Sequence, residues 1–295
     1  MPCSVLSGTL TLRAVTLHPT TEVPPDGRNW RPWMAPAAAI SAFALGLFAA
    51  SIVDAIGASK GTNATNPTPA VALIGSVFFD LSLVAAAVYF ARLRGPLRAS
   101  DFGYRRVSLR LAVGAFAAAG VIYYVVTALY ATLIRLHGTE KLPSELGVGK
   151  STAALVGAAV FVCVIAPIAE ETFFRGFFFG ALRRWRITLA GRDVGTLLAA
   201  IVTAIVFGLA HIGSAPAKYL VPLAFLGFML CLVRWRTRSL YPCIALHSVN
   251  NSLALGINEL HWQAGDVFAL IAGSLLVIAA VTGPLSVRRP APAGA

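Results

Sequence analysis

Long apolar runs alternate with short polar stretches along most of the chain. A helix needs about 20 consecutive apolar residues to cross a hydrocarbon core of about 30 Å. Eight runs approach that length: 33–57, 69–90, 109–134, 152–179, 196–212, 219–233, 240–257 and 267–282. The sixth is short. The pattern predicts an all-α fold, a polytopic membrane bundle of about eight transmembrane helices. Residues 1–32 are polar and read as a mostly disordered cytoplasmic tail, 33–284 as the bundle, and 285–295 as a second cytoplasmic tail. The N-terminal stretch has no long apolar run after a basic start, so it does not read as a signal peptide. No internal repeat is visible, which argues against a transporter built from two similar halves.

Composition agrees with the pattern. Of 295 residues, 57% are apolar and 12% charged, and the mean hydropathy is +0.76. Soluble domains carry about twice that charge, so a soluble globule, a disordered chain and a fibrous repeat are excluded. The net charge is +12. On a soluble protein it would suggest nucleic acid; here no nucleic-acid partner is expected, because the basic residues follow the loops. Seventeen of the 24 fall at 1–32, 91–108, 183–195, 234–239 and 285–295. The alternate loops hold five: Lys60, Arg135, Lys141, Lys150 and Lys218. By the positive-inside rule both termini are cytoplasmic, in a multi-pass protein of the cell membrane. The cysteines, Cys3, Cys163, Cys231 and Cys243, lack metal-type spacing, and the last three read as small core residues.

Against this background the ionisable groups inside spans stand out: Asp80, Glu170, Glu171, Arg175, His211 and His247. Each charge at a helix centre costs roughly 2.5–3.5 kcal/mol on the insertion scale. Such groups are functional candidates by default. Glu171 and Arg175 are four apart and share a helix face, where they can pair. Glu170 points about 100° away. One carboxylate can therefore be held while the other stays free, although spacing alone does not say which is catalytic. Pro167, just upstream, can kink the helix and free a backbone carbonyl. Phe207 and His211 lie one turn apart near the end of the fifth run. His247 and Asn251 are four apart in the seventh; Asn250 points elsewhere. Taken singly, each set also reads as ordinary structure: the start of a cytoplasmic helix, a satisfied core histidine, an interhelical hydrogen bond. Together they bring polar groups from three helices toward one place. A difficulty of depth remains, because Glu170 falls toward the cytoplasmic end of its run and His211 toward the opposite end.

A carboxylate, two imidazoles and a carboxamide make a hydrolytic set. A carboxylate with a histidine can take a proton from water, and a histidine with an asparagine amide can stabilise an oxyanion. No GxSxG or HExxH occurs, so neither a serine-elbow hydrolase nor a zincin is indicated. Alternatively, Glu170, His211 and His247 have the composition to hold Zn2+ with an open fourth position. Asn251 favours the metal-free arrangement, since a carboxamide is a poor zinc ligand and a good oxyanion donor.

EETFFRG (from Glu170), FGLAH (from Phe207) and HSVNN (from His247) resemble the EExxxR, FxxxH and HxxxN motifs of the CPBP family. These are the CAAX-protease and bacteriocin-processing intramembrane proteases, also called Abi proteins. The likeness covers about 151–257. It implies a membrane endopeptidase with its active site within the bundle. Glu170 would be the general base, and His211 would help hold the nucleophilic water. His247 and Asn251 would stabilise the oxyanion, Glu171 and Arg175 would form a supporting ion pair, and Phe207 would shape the cavity.

The implied partners are membrane lipid and a peptide or membrane-protein substrate whose identity does not follow. The Ala- and Arg-rich composition suggests a bacterial chain, in which prenylated proteins are not expected. Two alternatives are a non-catalytic immunity or scaffold protein of the same fold, and an ion-coupled transporter using Glu170 and Asp80 as a proton relay. The transporter would leave the His and Asn spacing unexplained.

Overall fold

The computed structural model describes residues 16–19, 30–58, 67–135 and 141–286. The helices are α1 (Met34–Ala58), α2 (Pro69–Arg92), the short α3 (Ala99–Phe102), α4 (Leu109–Ile134) and the short α5 (Lys141–Glu145). Then come α6 (Thr152–Leu182), α7 (Gly195–Leu209), α8 (Leu220–Thr237), α9 (Tyr241–Leu253) and α10 (Ala264–Thr282). Strands β2 (Trp185–Leu189) and β3 (Arg192–Asp193) form a hairpin between α6 and α7.

Long side chains on the outer helices face outward: Ile40 is 71% exposed, Leu133 82% and Phe268 71%. In water such surfaces would be a liability. In a bilayer they are the lipid-facing surface of helices whose backbone groups are satisfied internally. The protein is a multi-pass helical membrane protein.

Six helices among the described residues are long and apolar enough to cross a membrane: α1, α2, α4, α6, α8 and α10. The expected eight is therefore not reached by length and composition. The run at 196–212 forms only the 15-residue α7. The run at 240–257 forms the polar-rich, 13-residue α9, which continues as a π-helical segment, Ala254–Glu259. The run expected to be short, at 219–233, is instead the 18-residue α8.

Within the expected N-terminal tail, Thr16–Pro19 is a strand, β1, paired antiparallel with β2. Trp30 is buried against Phe102 and Phe177, with ring centroids 5.6 and 5.0 Å away. The rest of that tail, the loop containing Lys60 and the C-terminal tail from residue 287 lie outside the described residues.

Close packing sets the interior. Ser82 at the α1–α2 contact shares its Oγ–H between the Phe79 carbonyl of its own helix at 2.6 Å and the Ala42 carbonyl of α1 at 2.8 Å, polar glue of the kind that joins membrane helices. At Gly227 on α8 an added methyl would meet Phe207 at 3.0 Å and the Ala204 backbone at 3.2 Å, so α7 and α8 approach closely only because that side chain is absent. Cys163, Cys231 and Cys243 are free and buried, as small core residues.

Candidate active site

The central geometry is set by α6, which is not a regular helix. It contains two π segments, Phe161–Ile165 and Thr172–Phe178, separated by the α-helical turn that carries Pro167 and both glutamates. In the first, the Ala166 N–H reaches back five residues to the Phe161 carbonyl. The next carbonyl in that register, Val162, faces Pro167, which has no N–H to give. Cys163 stands four residues before Pro167 and loses its ordinary α-helical donor for the same reason. Both carbonyls are taken by α9: Asn251 donates Nδ2–H to Val162 at 2.9 Å, and Ser248 donates Oγ–H to Cys163 at 2.6 Å. The proline thus frees acceptors that the motif of α9 occupies. Single-turn π segments are frequent at functional sites.

The second π segment follows the glutamates. Glu171 and Arg175 are fully buried, and Arg175 Nη1 donates to Glu171 Oε1 at 2.8 Å. Arg175 also donates Nη2–H to the Gly227 carbonyl at 3.2 Å, and its guanidinium lies 4.3 Å from the centroid of the Phe207 ring. His247 Nδ1 lies 2.9 Å from the same Glu171 Oε1. A carboxylate oxygen accepts, so Nδ1 carries the hydrogen. Glu171 therefore ties α9 to α6 as well as pairing with Arg175. At the other side of the ring, His247 Nε2 is 3.9 Å from Glu170 Oε2.

Glu170 behaves differently from its neighbour. Its side chain is 16% exposed and lines a cavity of about 330 Å³, and its Oε2 has no hydrogen-bond partner. The quarter-turn offset expected from sequence is what separates the two acids. His211 also lines the cavity. Its Nδ1 is 2.8 Å from the Phe207 carbonyl, which can only accept, so the neutral ring keeps Nε2 as a free acceptor. His247, Asn250 and Asn251 complete this polar wall.

Of the expected residues, Glu170, His211, His247 and Asn251 share one cavity, while Glu171, Arg175 and Phe207 stand behind it. Phe207 is fully buried, its ring 4.9 Å from that of His211 and 5.7 Å from that of His247. It backs both imidazoles rather than lining the space.

The depth difficulty narrows with the observed lengths. Counting from the hairpin end, Glu170 is roughly 18 Å up α6 and His211 roughly 24 Å up from the start of α7 at 1.5 Å per residue. α6 continues to Leu182, three residues past the run read from sequence, which lifts Glu170 toward the level of His211, and the two line one cavity.

Two contributors were not placed in the site from sequence. Ser248 is silent in the motif spacing, though it is three residues before Asn251 and shares its face. Asp80, on α2, is 4% exposed, its Oδ2 has no partner, and it lines the same cavity. It lies within coulombic reach of Glu170. It was legible as a buried acid, but nothing in the sequence said which span packs against the motifs. Below the site, Thr172 gives its hydroxyl hydrogen to the Ile168 carbonyl at 2.6 Å, so Tyr104 donates to Thr172 Oγ at 2.6 Å. Burial raises the Tyr104 phenol above its ordinary value, which keeps it a neutral donor.

Glu170, His211 and His247 border one cavity, yet no three His, Cys, Asp or Glu side chains among the described residues converge closely enough to hold a metal ion. As arranged, the donors do not fit Zn2+.

The cavity is walled by carboxylates, two imidazoles and carboxamides, the kinds of group that hydrolysis through activated water uses. The model of the family described as type II CAAX prenyl endopeptidase Rce1-like, within the CPBP group, matches residues 152–253. That stretch holds all three motifs, and over it the resemblance read from them holds. No curated protein and no solved structure matches the chain.

Proposed function

We propose that the protein is an endopeptidase of the cell membrane, both termini cytoplasmic, that hydrolyses a peptide bond using water activated by Glu170 and His211. The observation that carries this reading is the division between adjacent glutamates. Glu171 is committed to Arg175 and His247, while Glu170 lines the cavity and no hydrogen bond holds its Oε2. A free carboxylate in hydrogen-bond reach of water is a general base. His211 Nε2 accepts from the same water and holds it. The hydroxide attacks the carbonyl carbon, and the proton kept on Glu170 passes to the leaving amine as the C–N bond breaks, which restores the carboxylate.

The oxyanion needs donors. Asn251 has committed one amide hydrogen to Val162 and has a second to give. Carboxylates face both nitrogens of His247, and its imidazolium form supplies an Nε2–H. Such donors, fixed before reaction, are worth about 2.7–4 kcal/mol each in comparable sites. The family match over 152–253 supports the reading.

The test is to incubate the purified protein in detergent with a degenerate peptide pool and sequence the new termini by mass spectrometry. Reproducible cleavage is expected. Intact peptides and intact membrane-protein substrates throughout would instead favour an immunity or scaffold protein of the same fold.

A further inference from the structure

The cavity reaches the connecting segments at one end of the bundle, its mouth, and that position bears on the substrate. Besides mid-helix positions, its lining comes from connections at a single end of the bundle: Leu142 and Pro143 before α6, Ser214 and Tyr219 between α7 and α8, Asn258 and Glu259 after α9. The other end contributes none of the lining. There Trp30 stacks against Phe102 and Phe177, Phe173, Phe177 and Phe178 are buried, and Arg234 donates to the Phe102 carbonyl at 3.3 Å. That end is packed shut.

The sealed end is also the arginine-rich one. It carries the 93–108 segment, the β2–β3 hairpin and the α8–α9 turn, whereas Arg135, Lys141, Lys150 and Lys218 are the basic residues of the described mouth-side connections. The positive-inside rule puts the arginine-rich end in the cytoplasm. The cavity wall itself holds Asp80, Glu170 and Glu259 and no lysine or arginine, so its field disfavours acidic segments. Its volume, about 330 Å³, is at the small end of ligand pockets and admits an extended segment, not a folded domain.

We infer that the active site opens away from the cytoplasm and acts on an extended, neutral or cationic segment of a polypeptide exposed on the outer side of the membrane, not on a cytoplasmic C-terminus. This rests on the reading of the cavity as a peptidase site, but its test does not need catalysis. In the full-length protein with Cys3→Ser, single cysteines are introduced as Ser214→Cys at the mouth, Ser76→Cys within the cavity and Ser100→Cys near the sealed end. Intact cells are then treated with a small, membrane-impermeant thiol reagent. Ser214→Cys and Ser76→Cys should react from outside, and Ser100→Cys only after permeabilisation. Reaction at Ser214→Cys and Ser76→Cys only after permeabilisation, or at neither under any condition, would overturn the inference. Labelling as expected alongside a failure to cleave any peptide would retire the peptidase reading and leave the outward opening standing; the reverse pair of results would do the opposite.

Discussion

Two neighbouring glutamates differ because one helical step separates them. Glu171→Gln removes the negative charge that Arg175 and His247 share and leaves a buried guanidinium without its counter-ion. Breaking a buried pair from one side costs about 3–5 kcal/mol, so this variant should melt much earlier in detergent. It should also cleave more slowly, because a neutral amide holds the His247 ring more weakly than a carboxylate does. Asp80 makes the opposite case. An unpaired buried carboxylate oxygen is a cost without a structural return. Asp80→Asn should therefore melt no earlier than the wild type while cleaving at least about tenfold more slowly, the usual exchange between stability and activity at a working site. A clear fall in melting temperature with full activity would make Asp80 a structural residue.

At the scale of elements, the π segment and Pro167 of α6 act with α9 as one unit. Pro167→Ala supplies the missing N–H, which competes with Asn251 and Ser248 for the Val162 and Cys163 carbonyls. Cleavage should fall more than about tenfold with little change in melting temperature, as both properties of one purified variant will show. Here the sequence was readable in part. A proline next to paired glutamates signalled a freed carbonyl, and spacings of four placed motif partners on common faces. The π register was not readable, because it depends on Ser248 and Asn251 arriving from another helix. Nor was the end of α6: stopping it at 179 put Glu170 too near the cytoplasmic surface, and its continuation to Leu182 narrows the distance in depth to His211.

Over the whole molecule, the polytopic helical class follows from hydropathy alone, since runs of apolar residues have few other stable outcomes in lipid. The wall that α2 gives to the cavity does not, because apolar faces of membrane helices carry little information about which neighbour they meet. Metal dependence belongs to this scale too, as it depends on donors from α6, α7 and α9 at once. Those donors do not converge, so exhaustive chelation should leave cleavage unchanged. Loss on chelation, restored by Zn2+, would make Glu170, His211 and His247 the ligands. The most direct measurement compares wild-type protein and Glu170→Gln, purified and folded to equal melting temperature, on any peptide the wild type cuts. Cleavage should fall by more than about a hundredfold in the variant, and equal rates for the two proteins would contradict the account.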